Sequence, residues 1–275
     1  MAELTVNGLR FYLRDEGSGP VVILLHGVPD TGEVWRNQVP ALTAAGFRVL
    51  VPDMRGRGRT ERPHEVSDYS VINAVTDVTA ILDELGIERA HVVGHDFGAA
   101  VAWRVGSIFP QRVGCLVALS VGFPGAAGLP VLEDLQKGWY RVLIQFAGIA
   151  EELFQQDDWY LFRTLFADAV DIEAYIANLS EPGALTAAFN WYRANLPVER
   201  LLAPPPPLPS VQAPTLGMWS SGERYLTDRS MVASESRVTG GWRYERVENA
   251  SHWLQLDQPE RVNTLLLEFL GEPGS

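Results

Sequence analysis

The stretch Val92-Val93-Gly94-His95-Asp96-Phe97-Gly98-Ala99-Ala100 decides how the rest of the chain is read. A β-branched run meets a glycine, then a polar pair, then small residues that open a helix. A strand turning this sharply into a helix forces its central residue into strained backbone geometry, and Gly94 and Gly98 leave the room the turn needs. Asp96 is thereby held at the tip, above the sheet edge and at the positive end of a helix, where a carboxylate is stabilised. The pattern is a nucleophile elbow with aspartate where serine often stands. An aspartate that only caps a helix is common, but it does not require a glycine on either side at this spacing.

Outward from the elbow, short apolar runs alternate with helical patterns, the signature of βα units and a largely parallel sheet. Val21 to Leu25, Arg48 to Val51, His91 to Val93 and Cys115 to Leu119 are the expected strands. Their continuous apolarity suits strands covered on both faces. Val71, Ile72, Val75, Val78, Ile81, Leu82 and Leu85 recur at helical spacing, with Gly86 as the stop. Beyond about residue 125 the texture becomes helical, and the span from Trp139 to Tyr192 holds 12 of the 27 aromatics, which predicts an apolar wall. The tract Pro204-Pro205-Pro206-Pro207 reads as a stiff extended return. Strand texture resumes at Thr215 to Trp219 and Trp242 to Val247. A closing helix follows, with Pro259 in its first turn and Val262, Leu265, Leu266 and Phe269 on one face. The expected architecture is an α/β core in two parts, 1–128 and 210–275, with a helical cap inserted at 129–209.

An elbow of this kind needs a later histidine as its base, and of the 5 histidines only His252 follows Asp96. The third member should be a carboxylate on the loop after Thr215 to Trp219, orienting the imidazole through its far nitrogen. Glu223, in Ser220-Ser221-Gly222-Glu223-Arg224, is the best placed, and Asp228 is its competitor.

Composition bounds the rest. A chain of 275 residues lies near the limit for one hydrophobic core and invites a core with an inserted part. Lys and Arg number 22 against 34 Asp and Glu, a formal charge of -12, and repulsion from phosphate backbones argues against a nucleic-acid partner. Cys115 is the single cysteine, so no intrachain disulfide forms, and its apolar surroundings read as a small buried hydrophobe. No signal-like segment opens the sequence and no apolar run approaches the roughly 20 residues that span a bilayer. The expectation is a cytoplasmic protein with no membrane partner, and association into a homo-oligomer is left open. No Cys/His cluster has ligand spacing, so neither metal nor cofactor is expected.

Two further motifs stand beside the elbow: His26-Gly27-Val28-Pro29, similar to an HGxP motif, and Asp53-Met54-Arg55-Gly56-Arg57-Gly58, similar to a DxRGxG turn. With them the chain, over essentially its whole length, resembles the α/β-hydrolase superfamily and, within it, the epoxide hydrolases that use an aspartate nucleophile. The glycine-spaced match makes the arginines 55, 57 and 59 a structural turn rather than a basic patch. The resemblance implies an oxyanion hole from the backbone N–H groups of Phe97 and Val28, with Val28 standing where the family usually has an aromatic. Glu223 falls where the family more often has Asp. Trp139-Tyr140-Arg141 and Phe189-Asn190-Trp191-Tyr192-Arg193 resemble the segments that carry two proton-donating tyrosines, which by match are Tyr140 and Tyr192. Tyr160 and Tyr175 lack such a match. Trp139, Trp191, Phe97, Pro29 and Trp253 are the expected substrate-binding wall.

Aspartate as nucleophile constrains the chemistry. Attack on an ester would only make an anhydride, whereas attack on a saturated carbon gives a stable alkyl ester. Epoxide opening and halide displacement both qualify, and they differ in what stabilises the departing anion. An epoxide oxygen needs a proton donor, and a phenol with a pKa of about 10 is protonated at neutral pH yet acidic enough to serve. The expected reaction therefore takes a small apolar epoxide to a vicinal diol. The alternatives are a haloalkane or haloacid dehalogenase using the same triad, in which Trp or Arg often follows the nucleophile where Phe97 stands, and a non-catalytic ligand-binding relative.

Overall fold

The computed structural model describes residues 2–203 and 206–271. Pro204 and Pro205, half of the tract read as an extended return, lie outside the described residues. The chain enters through a hairpin that the apolar-run reading did not anticipate. Strands β1 (Ala2–Val6) and β2 (Leu9–Gly17) pair antiparallel around Asn7-Gly8, whose φ values are 50° and 76°. Only one face of β2 is deeply buried, at Phe11 and Leu13, so it lacks the continuous apolarity of the inner strands. The Asn-Gly dipeptide was the available signal, since both of its residues tolerate positive φ.

The remaining strands are the expected ones, longer by a residue or two at several ends: β3 (Val21–Leu25), β4 (Arg48–Pro52), β5 (Ala90–His95), β6 (Val113–Leu119), β7 (Thr215–Ser220) and β8 (Trp242–Val247). Among the described residues they form one eight-stranded sheet in the order β1-β2-β4-β3-β5-β6-β7-β8, parallel from β4 to β8. Every residue of β5, β6 and β7 is buried. Between β3 and β5 the chain reverses its direction of travel across the sheet, and loops leaving such a switch point splay apart and open a crevice. Leu25 pairs with Gly94, and His95 with Leu119, so the turns after β3, β5 and β6 emerge at one edge.

The helices α1 (Gln38–Ala44), α2 (Val71–Glu84) and α3 (Phe97–Ile108) pack on this sheet. Ser70 caps α2 by accepting from the Asn73 N–H at 3.2 Å. The α2 stripe is as expected except at Ile72, which is half exposed because it stands one position off the face carried by Val71, Val75, Val78 and Leu82. Five helices lie between β6 and β7: α4 (Leu132–Lys137), α5 (Tyr140–Ile144), α6 (Ile149–Leu165), α7 (Ile172–Leu179) and α8 (Ala184–Asn195). Helix α6 is broken in its middle, where Asp157, Asp158 and Trp159 take φ of 49°, 54° and 61°. The chain closes with α9 (Arg229–Ala233), α10 (Leu254–Asp257) and α11 (Pro259–Leu270), the last burying Val262, Leu265, Leu266 and Phe269.

Two arginines of the turn after β4 are internal struts. Arg55 makes paired bonds to Asp77 at 2.7 and 2.8 Å. Arg57, 1% exposed, donates to the carbonyls of Pro29, Asp30 and Ala184 and to Asn178 Oδ1, which ties the turn after β3 to the inserted helices. Arg59 is the exposed one, lying over the Tyr12 ring.

The elbow is a close backbone crossing. Asp96 has φ 53° and ψ -122°, and a Cβ on Gly98 would lie 2.1 Å from the Leu25 carbonyl oxygen. A Cβ on Gly94 would lie 2.3 Å from the Gly98 carbonyl oxygen. Backbone atoms cannot yield as a flexible side chain can. Gly98→Ala is therefore expected to cost about 3 kcal/mol or more of stability, read as a lowered urea midpoint. An unchanged midpoint would show that β3 and α3 can separate freely.

Candidate active site

Asp96 sits on the crossing with its side chain 17% exposed. Its Oδ1 accepts the Val28 N–H at 3.0 Å, and its Oδ2 faces His252 Nε2 at 3.7 Å. Of the two expected backbone donors only Val28 holds the carboxylate; the Phe97 N–H makes no hydrogen bond to it among the described residues. Burial opposes the charge on Asp96, but the bond and charge of His252, with His95 and the Val28 N–H, outweigh it and keep the carboxyl below its usual range.

His252 lies on the loop after β8, and Glu223 on the loop after β7. His252 Nδ1 donates to Glu223 Oε2 at 2.6 Å, while Glu223 Oε1 accepts the Tyr225 N–H at 2.8 Å. The two loops are stitched together by the Gly222 N–H on the Ala250 carbonyl at 2.9 Å and the Ser221 N–H on that of Val247 at 3.0 Å. Asp228, the competing acid, stands at the N-terminal boundary of α9 without a side-chain capping bond and has no bond to His252 among the described residues. Burial disfavours the imidazolium, yet Glu223 and Asp96 together hold His252 well above its ordinary value. Burial likewise opposes the Glu223 charge, and His252 and the Tyr225 N–H pull its carboxyl below the ordinary value.

Tyr140 on α5 and Tyr192 on α8 meet the same cavity, their ring centroids 5.9 Å apart. Burial, then Tyr140 and Asp96, raises Tyr192 well above its usual range, so it stays protonated. The cavity is completed by Arg141, Phe166, Tyr225, Leu226 and Trp253. An apolar chamber adjoins it, sharing Val28, Phe166 and Tyr192, and walled by Pro29, Phe154, Phe162 and Phe189 among others.

The expected wall divides. Pro29 and Trp253 line these chambers, while Trp139 is 48% exposed and lines neither. One residue along a helix is about 100° of rotation, so turning Tyr140 inward turns Trp139 out. Trp191 is displaced from the cavity for the same reason beside Tyr192. It is buried instead against Phe97, ring centroids 5.4 Å apart, and donates its Nε1–H to the Arg55 carbonyl at 3.1 Å. Phe97 lines neither chamber either; its ring sits edge-on behind Tyr192 at 5.0 Å.

Four residues of the site escaped the sequence reading. Asp30 and His95 are both fully buried, with Asp30 Oδ2 3.4 Å from His95 Nδ1. Asp30 Oδ1 accepts the Trp253 Nε1–H at 3.0 Å, and His95 Nε2 donates to the His252 carbonyl at 2.9 Å, so this pair fixes the base loop from beneath. Their adjacency to the HGxP motif and to the nucleophile was the available signal. Tyr225 and Arg141 line the cavity. Tyr225 also hydrogen-bonds through its hydroxyl to Asp168 of the inserted segment, Arg141 Nη2 donates to the Tyr225 carbonyl at 3.3 Å, and Lys137 donates to the carbonyls of Glu223 and Leu226 at 3.3 and 2.9 Å. Among the described residues no cluster of His, Cys, Asp or Glu could hold a metal ion, and no helix is long and apolar enough to cross a membrane.

A family model described as alpha/beta hydrolase fold matches residues 20–259. AB hydrolase superfamily protein YfhM of Bacillus subtilis is 30% identical over 282 residues, covering 97% of this chain and 96% of that protein. Epoxide hydrolase A of Mycobacterium tuberculosis is 30% identical over 309 residues, covering 96% and 95%. The crystal structure of an epoxide hydrolase from Vigna radiata, 25% identical, superposes with a TM-score of 0.82 over 98% of this chain and 97% of that one. The chain belongs to the alpha/beta hydrolase fold family and, within it, to the epoxide hydrolases.

Proposed function

We propose that this enzyme converts an epoxide and water to a vicinal diol through an ester on Asp96. One observation carries the reading: a carboxylate with one oxygen held by the Val28 N–H and the other facing a Glu223-oriented His252 shares its cavity with two phenols, Tyr140 and Tyr192. Asp96 Oδ2 attacks a ring carbon, the ring C–O bond breaks, and a phenol supplies the proton that the departing oxygen takes up. Phenol donors suit an alkoxide, and Phe97 offers a departing halide no N–H of its own side chain. The relatives named above as epoxide hydrolases support the same choice.

Alkylation also arms the second half-reaction. In the free enzyme Asp96 helps keep His252 protonated. Once Asp96 is an ester that charge is gone, so the imidazole pKa falls and the ring becomes a base at the stage that needs one. His252 then takes a proton from water, the resulting hydroxide attacks the ester carbonyl, and the oxyanion forms on Oδ1 at the Val28 N–H, with Phe97 as the second donor. Collapse breaks the bond between the carbonyl carbon and Oδ2. The departing alkoxide takes a proton from His252, which takes up the hydroxyl proton left on the former water oxygen, so Oδ2 leaves in the diol, the water oxygen remains in the Asp96 carboxylate and His252 ends protonated. The adjoining apolar chamber fits a small apolar substituent on the epoxide.

With enzyme in excess in heavy-oxygen water, the first-turnover diol is expected to be unlabelled and the Asp96 peptide to gain one heavy oxygen by mass spectrometry; label appearing directly in that diol overturns the ester route. Glu223→Gln should lower turnover by about two to four orders of magnitude, through loss of imidazole orientation. Asp228→Asn should change it little, and comparable losses in the two variants would return the acid assignment to Asp228. In Asp96→Asn, which mimics the uncharged ester, NMR titration of His252 should give a lower pKa than in the unmodified enzyme. An equal or higher value removes the proposed arming of the base.

A further inference from the structure

The charged residue left over in this cavity is Arg141. It follows Tyr140 on α5 and lines the cavity with Asp96, Tyr192 and His252. Its guanidinium carbon is 5.8 Å from the Tyr140 ring centroid. Nη2 donates to the Tyr225 carbonyl at 3.3 Å, Nε has no partner, and no carboxylate forms an ion pair with it among the described residues. Burial opposes its charge, but Tyr140, by its charge and a side-chain hydrogen bond, and then Tyr192 and Asp96 outweigh that and hold the guanidinium above its ordinary value. Negative charge arriving on the phenol beside it is therefore met by a cation already in place.

The proposed reaction moves charge in that direction. Ring opening neutralises Asp96 and delivers its negative charge to the ring oxygen, and proton transfer from a phenol passes that charge to a phenolate. We propose that Arg141 stabilises the phenolate that forms on Tyr140, and so makes Tyr140 the phenol that gives its proton. The inference rests on the reading of the site given above. Its balance is complete: the C–O electron pair goes to the ring oxygen, the Tyr140 proton follows, and Tyr140 keeps the charge. The phenolate recovers a proton as His252 gives one up on alkylation, and ester hydrolysis returns one to His252.

Tyr192 is the less suited donor. It lies against Tyr140, and burial and then Tyr140 oppose its ionisation, with Arg141 the opposing influence. Around Tyr140 the titratable and charged neighbours are Arg141 on its own helix, Tyr192 from α8, Asp96 and His252 from the core turns, and Tyr225 from the acid loop, with Asp168 behind it. Arg141 is the cation in this set whose charge does not depend on the stage of the reaction.

The test separates the two half-reactions by rapid mixing with a neutral aryl epoxide. Arg141→Met should slow alkylation by about tenfold or more, as one unit of phenol pKa implies, with ester breakdown and the substrate dissociation constant from the pre-steady-state concentration dependence little changed. Arg141→Lys should restore most of the rate. The alkaline limb of the alkylation profile should move to higher pH in Arg141→Met. In a Tyr140→Phe background the Arg141→Met change should have no further effect, whereas in Tyr192→Phe it should act in full; additive losses in both backgrounds overturn the pairing. Loss confined to carboxylate-bearing epoxides, with the neutral substrate unaffected, also overturns it and makes Arg141 an anion-recognition residue. Ultraviolet titration of phenol ionisation without substrate, in Tyr192→Phe with and without Arg141→Met, reads the coupling even if the ester route fails, and an unshifted phenol there rejects the proposal on its own. Circular dichroism melting of each variant verifies that it is folded.

Discussion

The approach of α3 to the end of β3, with no room for a side chain at Gly98, is the contact on which the site depends. It fixes how near the turn after β3 comes to the turn after β5, and so whether the Val28 N–H reaches the carboxylate of Asp96. The strained backbone at Asp96 is maintained by the fully buried strand β5 on one side and the largely buried helix α3 on the other. Neither part would hold that geometry alone. The site is precise because it stands on backbone contacts rather than on adaptable side chains.

The second level of order is electrostatic. Glu223, His252 and Asp96 form a line of alternating charge, each member held ionised by the next against the cost of burial. Such a line is sensitive to the loss of any one charge. A reaction that consumes the charge on Asp96 therefore changes the behaviour of the imidazole without moving it. Beneath the line, Asp30 and His95 brace the base loop through Trp253 and the His252 carbonyl.

Much of this was legible in the chain itself. The inner strands could be read because strands covered on both faces must be apolar throughout, and the elbow because its glycines answer to backbone clashes. The hairpin of β1 and β2 carries a weaker pattern because neither strand is covered on both faces, although Asn7-Gly8 marks its turn. The aromatic wall was only half readable. A count of aromatics between 139 and 192 says that rings are present, but the helical rotation between neighbouring positions decides which of them face the cavity. That rotation turned Trp139 to solvent and Trp191 into a strut against Phe97. Adjacency to the motifs marked Asp30 and His95, but the partners that they and Arg141 meet are distant in the chain, which local pattern does not encode.

The loop that carries Glu223 belongs to the sheet by sequence but to the inserted helices by its bonds. Lys137 grips the carbonyls of Glu223 and Leu226, Arg141 that of Tyr225, and the Tyr225 hydroxyl reaches Asp168. Nucleophile and acid are therefore anchored in different ways, one by the sheet and the other partly by the helices between β6 and β7. Exchange of the helical segment between relatives is for that reason not a modular operation. A graft that keeps both tyrosines but brings no counterpart of Lys137 and Asp168 would carry over the proton donors while leaving the imidazole without a firmly held acid. The two halves of the active site are thus obliged to change together, and the boundary across which they must match runs through residues 223–226.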